Sequence, residues 1–219
     1  MTITEPVWLS EAARPRPLAV HLLAHGKGRV SRRRAYLLGL ALVRRRWPAE
    51  ADGPELAVLE RYADGAADEA EFLAARAAVA ANRVGYTSLA DHLDLLFNLH
   101  TFPAIRLLAT RLLPARTDDP GWCDLIRDVA GNPFRPWKAV PESLGGGLVQ
   151  PDGATVRVSA AARQVAAGIA IDGAFDRLPI LADALDDCGV TDPGLLAHCR
   201  RPGGHVRGCW AVDVVAGRG

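Results

Sequence analysis

FDRLPILADALDDCGVTDPGLLAHCRRPGGHVRGCWAVDVVAG, residues 175–217, is the stretch whose reading decides the fold. It carries three of the four cysteines and two of the six histidines. Asp176 can cap a helix with Pro179 in its first turn, where a missing N–H costs nothing. Leu178, Leu181, Ala182 and Leu185 then share one face and Asp183, Asp186 and Asp187 the other, the pattern of a helix laid on a core. Gly189 is a natural stop. Thr191 or Asp192, followed by Pro193, opens a short helix to about 200, with Leu195, Leu196 and Cys199 inward. Arg200 and Arg201 suit its C-terminal end. Pro202-Gly203-Gly204 breaks the chain. A last helix is predicted over about 205–216, burying Val206, Trp210 and Val214. Asp213 is an acid within that apolar run. It needs an ionic partner or a place at the rim of the core, or else it is a site carboxylate.

Outward from this stretch the signals remain helical. Residues 1–17 read as an irregular arm, because Pro6, Pro15 and Pro17 discourage regular structure. A short helix is expected over 18–25, ended by Gly26-Lys27-Gly28. Ser31 caps a stronger one to Trp47, stopped by Pro48. Helices follow over 55–64 and 69–82, the second capped by Asp68. Ser88 and Asp91 form a capping-box pattern ahead of Leu89, Leu93, Leu96 and Leu99. His92 and His100 edge that face. Ile105, Leu108, Ala109 and Leu112 extend the pattern past Pro103 to Pro114. A helix opened by Asp119-Pro120 closes at Gly131. GNPFRPW, residues 131–137, is a packed loop anchored by Phe134 and Trp137. Residues 141–153, with glycines at 145–147, read as a linker. Val156 and Val158 suit a short extended segment, and Ser159 caps a helix to about Ile171.

The expected fold is all-α: a multi-helix, bundle-like array. An N-terminal helical unit spans 1–131, an irregular linker 132–158, and a compact C-terminal helical unit 159–219. The chain is 49% hydrophobic and 23% charged, so it can bury a sizeable core. No apolar run reaches the ~18–20 residues a membrane span requires. The first residues lack the basic-then-apolar layout of a secretion signal. Four cysteines in that setting suggest reduced thiols in the cytoplasm.

The segments WLSEAARPRP, LERYADG, RDVAGNPFRPW and the C-terminal FDRLPILADALDDCG…LLAHCR…GGHVRGCWAVDVVAG together resemble a family of uncharacterised bacterial proteins. The shared features are a WL…P arm, an Ala-rich helical middle, a GNPFRP loop and an HCR…HVRGCW block. The resemblance covers nearly the whole chain and implies no particular activity. Two departures bear on metal chemistry. LALVRRRW, residues 40–47, stands where that family has a cysteine-rich patch, which weakens a metal site in the N-terminal half. DDCGV, residues 186–190, stands where DAGC is expected, which makes Cys188 a poor ligand candidate.

Three functional expectations follow. The first is a non-enzymatic helical interaction or adaptor module with a protein partner, since no catalytic signature is present and helix faces are many. The second is nucleic-acid binding through residues 14–46. Ten Lys or Arg and no acid fall between Ala12 and Ala49, among them Arg32, Arg33, Arg34, Arg44, Arg45 and Arg46. Such a run can meet phosphate. It can equally face the eight acids between Glu50 and Glu71. The third is a zinc-stabilised domain, or a metal or thiol enzyme. Cys199, His205 and Cys209 stand in a C-x5-H-x3-C spacing with His198 beside Cys199, and thiolate and imidazole are zinc ligands. Cys188 and Cys123 are alternative fourth donors. Buried cysteines that merely pack are the competing account.

Overall fold

The computed structural model describes residues 2–24, 31–50, 52–82, 88–98, 110–115, 117–141, 143 and 146–218. The expected break at Gly26-Lys27-Gly28, Lys27 and Arg29 of the basic run, Gly85, Leu99, His100, the 103–109 continuation and Gly145 lie outside them. The chain is mostly helical, with one small sheet. It divides into two compact units, Met1–Ile126 and Arg127–Gly219. The division falls within the helix Gly121–Ala130.

In the N-terminal unit the arm is not irregular. Glu5–Leu9 and Pro15–Ala24 are helices, because prolines at the start of a helix give up no hydrogen bond. Helices Arg32–Arg46, Pro54–Ala63, Glu69–Ala81 and Leu89–Phe97 follow. Their starts are fixed locally. Ser31 accepts from the Arg34 amide, and Asp68/Glu71 and Ser88/Asp91 form full capping boxes. Tyr36, Leu40, Val43, Leu56, Leu59, Phe72, Leu96 and Phe97 are buried among them. Tyr62 stacks on Phe72 at 4.1 Å between ring centroids. No described helix is long and apolar enough to cross a membrane.

The C-terminal unit opens with the end of helix Gly121–Ala130 and the GNPFRPW turn. The stretch read as a linker then folds into antiparallel strands β1 (Lys138–Val140), β2 (Gly147–Val149) and β3 (Thr155–Val156), in the order β1-β2-β3. Lys138 pairs with Val149, and Leu148 with Val156. Gly147 is required there: its φ is +123°, and a Cβ would come within 2.6 Å of the Val156 carbonyl oxygen. Helices Ala160–Asp172, Leu178–Asp186, Pro193–Arg200 and Trp210–Val215 complete the unit. Ala166, Ile169, Leu178, Leu181, Leu185, Val190, Leu195 and Cys199 form a fully buried core together with Leu148 and Val158 from the sheet region.

Two expectations fail in the decisive stretch. Asp176 lies in a 3-10 turn, Phe175–Arg177, and does not cap the next helix. The last helix starts at Trp210 rather than near 205, with Cys209 as its N-cap residue. Residues 201–209 are irregular, and Gly203, Gly204 and Gly208 hold positive φ. Trp210 is only half-buried, while Ala211, Val212, Val214 and Val215 are buried. Asp213 is buried too, at 1% exposure.

Candidate metal centre

Three segments of the C-terminal unit converge on one point. Asp128 comes from the last turn of helix Gly121–Ala130, His198 from the last turn of helix Pro193–Arg200, and His205 and Cys209 from the irregular segment between the last two helices. One donor atom from each of the four lies within 4.8 Å of every other. The side chains of Asp128, His205 and His198 are 0%, 2% and 11% exposed, and Cys209 is 0% exposed.

Several contacts define the centre. Asp128 Oδ1 lies 2.6 Å from His205 Nδ1 and 3.3 Å from His198 Nε2. His198 Nε2 lies 3.2 Å from Cys209 Sγ, and Cys209 Sγ 3.9 Å from His205 Nδ1. A tetrahedral zinc ion with ligands at about 2.0–2.3 Å holds its donors roughly 3.3–3.6 Å apart. Four of the six edges are 2.6, 3.2, 3.3 and 3.9 Å and the other two stay within 4.8 Å, so an ion would have to lengthen the Asp128–His205 edge.

The partners behind the donors matter as much. His205 Nε2 lies 3.1 Å from the Arg201 carbonyl oxygen. A carbonyl only accepts, so this contact is a hydrogen bond in the tautomer that protonates Nε2. The other nitrogen, Nδ1, then faces the Asp128 carboxylate, a second acceptor. A neutral ring has one N–H and cannot satisfy both. At 2.6 Å the Nδ1–Oδ1 pair shares a proton, and the two atoms would have to move apart by several tenths of an ångström to ligate one metal ion. The other carboxylate oxygen, Oδ2, accepts from the Val206 amide at 2.9 Å, which fixes the orientation of Asp128. Metal-bound histidines usually donate their remote N–H to a carbonyl or carboxylate, as His205 does to Arg201.

Electrostatics follow from this packing. Burial works to raise the Asp128 carboxyl, but hydrogen bonds with His198 and His205 outweigh it, and the net shift is downward. Burial lowers the His198 pKa against the opposing pull of Asp128, which favours the neutral, ligating form. Burial and the nearby Asp128 charge push the Cys209 thiol well above its ordinary value. Cys199 is pushed up to about 12 for the same reasons.

Of the expected ligands, His198, His205 and Cys209 come together. Cys199 does not join them. It faces the apolar core with Leu195, and Asp128 takes its place in the cluster. His205 and Cys209 were expected on one helix face, yet neither lies within a helix. Cys188 accepts from the Ser159 amide at 3.3 Å. Cys123 belongs to the N-terminal unit, where its thiol donates to the Ala13 carbonyl. Sequence reasoning overlooked Asp128, although one signal was present. An acid in the last turn of a helix opposes the helix dipole and needs compensation from elsewhere.

Arg32, Arg33, Arg44, Arg45 and Arg46 of the basic run make side-chain contacts within the N-terminal unit. Arg33 pairs with Asp64 at 2.7 Å, Arg45 with Asp119 at 2.6 Å, and Arg44 holds both oxygens of Glu60 at 2.7 and 3.1 Å. Arg32 donates to the Tyr62 hydroxyl at 2.7 Å, and Arg46 lies 6.0 Å from the Trp47 ring centroid. The Arg34 amide is taken by the Ser31 cap. Asp64 and Glu60 belong to the acidic run, so the two runs meet at Arg33 and Arg44. That arrangement lends the nucleic-acid expectation no support.

No family model, no curated protein and no solved structure matches this chain. Fold and site therefore define a class only: a mostly helical protein whose C-terminal unit encloses an Asp-His-His-Cys cluster.

Proposed function

We propose that the C-terminal unit binds one zinc ion through Asp128, His198, His205 and Cys209, and that the protein is a non-enzymatic interaction module stabilised by that ion. The observation that carries the reading is the convergence of four buried or nearly buried donor atoms, from Asp128, His198, His205 and Cys209, within 4.8 Å of one another. Two imidazoles, a thiolate and a carboxylate are a zinc donor set. Catalytic zinc keeps a position open for water or substrate, with three protein ligands. Four converging, buried donors suit a closed structural site instead. The thiol of Cys199, pushed up to about 12, opposes a nucleophilic role for that residue, and Cys209 would become a thiolate only with the metal beside it. The remaining work then falls to the helical surfaces, with a protein as partner. A cytoplasmic setting would keep the Cys209 thiol available to the metal.

Elemental analysis of protein purified without a metal-affinity tag tests this directly. One zinc per chain is expected, lost on dialysis against a strong chelator and regained on adding zinc. Metal-free protein that takes up none would show that a proton, and not a metal, occupies the centre.

A further inference from the structure

We infer that the ion is a latch on residues 201–209, whose loss opens that segment while the surrounding helices stay folded. The inference rests on the zinc reading of the centre and adds what the ion controls. Residues 201–209 contain neither helix nor strand. Pro202, Gly203 and Gly204 are exposed, and a Cβ at Gly203 or Gly204 would meet nothing within 4 Å. Among the described residues, nothing packs on those two glycines from outside. The donors bracket the segment: His198 lies just before it, His205 in its middle and Cys209 at its end. The fourth donor, Asp128, sits on a helix remote in sequence and also holds the Val206 amide. One ion therefore fastens the two ends and the middle of the segment to a fixed post.

The helices around it have a separate basis for stability. Ala166, Ile169, Leu178, Leu181, Leu185 and Leu195 are fully buried against one another and contribute nothing to the centre. Local opening is favoured where few apolar contacts hold the chain, which describes exposed Pro202, Gly203 and Gly204, while Cys209 at the far end of the segment is anchored in the core.

Ligand linkage makes the test quantitative. An opening that abolishes binding is suppressed by the factor 1 + [Zn]/Kd. Amide exchange of the full chain, followed by mass spectrometry at free zinc concentrations fixed by a chelator buffer, reads that factor segment by segment. Above Kd, each tenfold rise in free zinc should slow exchange of the Val206 and Cys209 amides about tenfold. Exchange within helix Ala160–Asp172 should not change. Trypsin should cut the Arg200–Arg201 and Arg207–Gly208 bonds in chelated protein before any bond in that helix. His205→Ala should show the chelated pattern at every zinc concentration, and the wild-type titration stands by itself if that variant does not fold. Zinc bound at one per chain with no zinc dependence in 201–209 overturns the latch. Equal dependence in Ala160–Asp172 also overturns it, since the whole unit would then open as one. No zinc uptake in the same samples refutes the zinc reading, and the latch with it.

Discussion

Asp128→Ala is the sharpest perturbation of the centre. The carboxylate is fully buried and bonds to His205 Nδ1 at 2.6 Å and the Val206 amide at 2.9 Å. Hydrogen bonds to a charged group are worth about 1.5–3 kcal/mol each. Breaking a buried charged pair by removing one partner costs roughly 3–5 kcal/mol. We therefore expect the C-terminal unit to lose about 3–5 kcal/mol. With a urea m value of about 1–2 kcal/mol/M for a unit of this size, its midpoint should fall by about 1.5–5 M. Cys199 supplies a unit-specific probe. Its thiol is fully buried, so pulse labelling along a urea series, read on the peptide that contains it, reports opening of this unit alone. Asp128→Asn keeps an acceptor for the Val206 amide and should fall between wild type and Asp128→Ala. The same series with chelator adds a second criterion. Chelation should destabilise the wild type and leave Asp128→Ala unchanged, because the variant has no ion to lose. A midpoint shift below about half a molar would refute the assigned burial and bonding of Asp128. Equal chelator effects in both proteins would remove it from the ligand set.

Cys209→Ser should release zinc and abolish the chelator response in melting curves, whereas a cysteine that only packs would cost about 1–3 kcal/mol and leave the wild type indifferent to chelator. Trp210→Ala should cost about 1–3 kcal/mol in urea unfolding, below the usual ~3–5 for a fully buried tryptophan, because the ring is half-exposed where it packs on Gly131 and His198. Cys199, with its thiol pushed up to about 12 from 9.0, favours the protonated folded state, so its contribution is complete below pH 9 and fades between pH 9 and about 12. Unfolding midpoints across that window should fall with pH in the wild type and fall less in Cys199→Ala. Binding to random duplex DNA at low salt should be negligible, since Arg33, Arg44 and Arg45 are already paired with carboxylates; tight binding with a steep salt slope would contradict that assignment.

Much of the helical fold was legible because its determinants are local. Ser31, Asp68, Ser88, Ser159 and Asp192 each place a side-chain acceptor where the next helix needs one, and all five make that bond. The misreadings arise where neighbours in space override neighbours in sequence. Val156 lies in β3, within the extended segment expected there, but β1 and β2, of three residues each, carry too little alternation to be seen, and β2 depends on a glycine admitted by its distance from the Val156 carbonyl. The predicted 205–216 helix fails over its first turn for a comparable reason. The Val206 amide is drawn to Asp128, 78 residues away, so a tertiary bond takes the place of a helical start.

The candidate site was half legible, and the wrong half is instructive. His198 and Cys199 are adjacent on one helix, about 100° apart around its axis, so both cannot aim at the same point. Leu195 sets the core direction, and Cys199, four residues on, shares it. His198 is thereby turned toward the centre and Cys199 away from it. Helix geometry therefore disfavours a ligand set containing both, and the place of Cys199 in the core settles which one is left out. What the sequence could not supply was the replacement. Asp128 lies 70 residues before His198, and its only local mark is a carboxylate at the wrong end of a helix dipole. That cost is offset at a distance, by the His205 ring and the Val206 amide. The same reasoning applies to any acid in the last turn of a helix: its compensating partner has to come from another segment, and for Asp128 that partner is the centre itself.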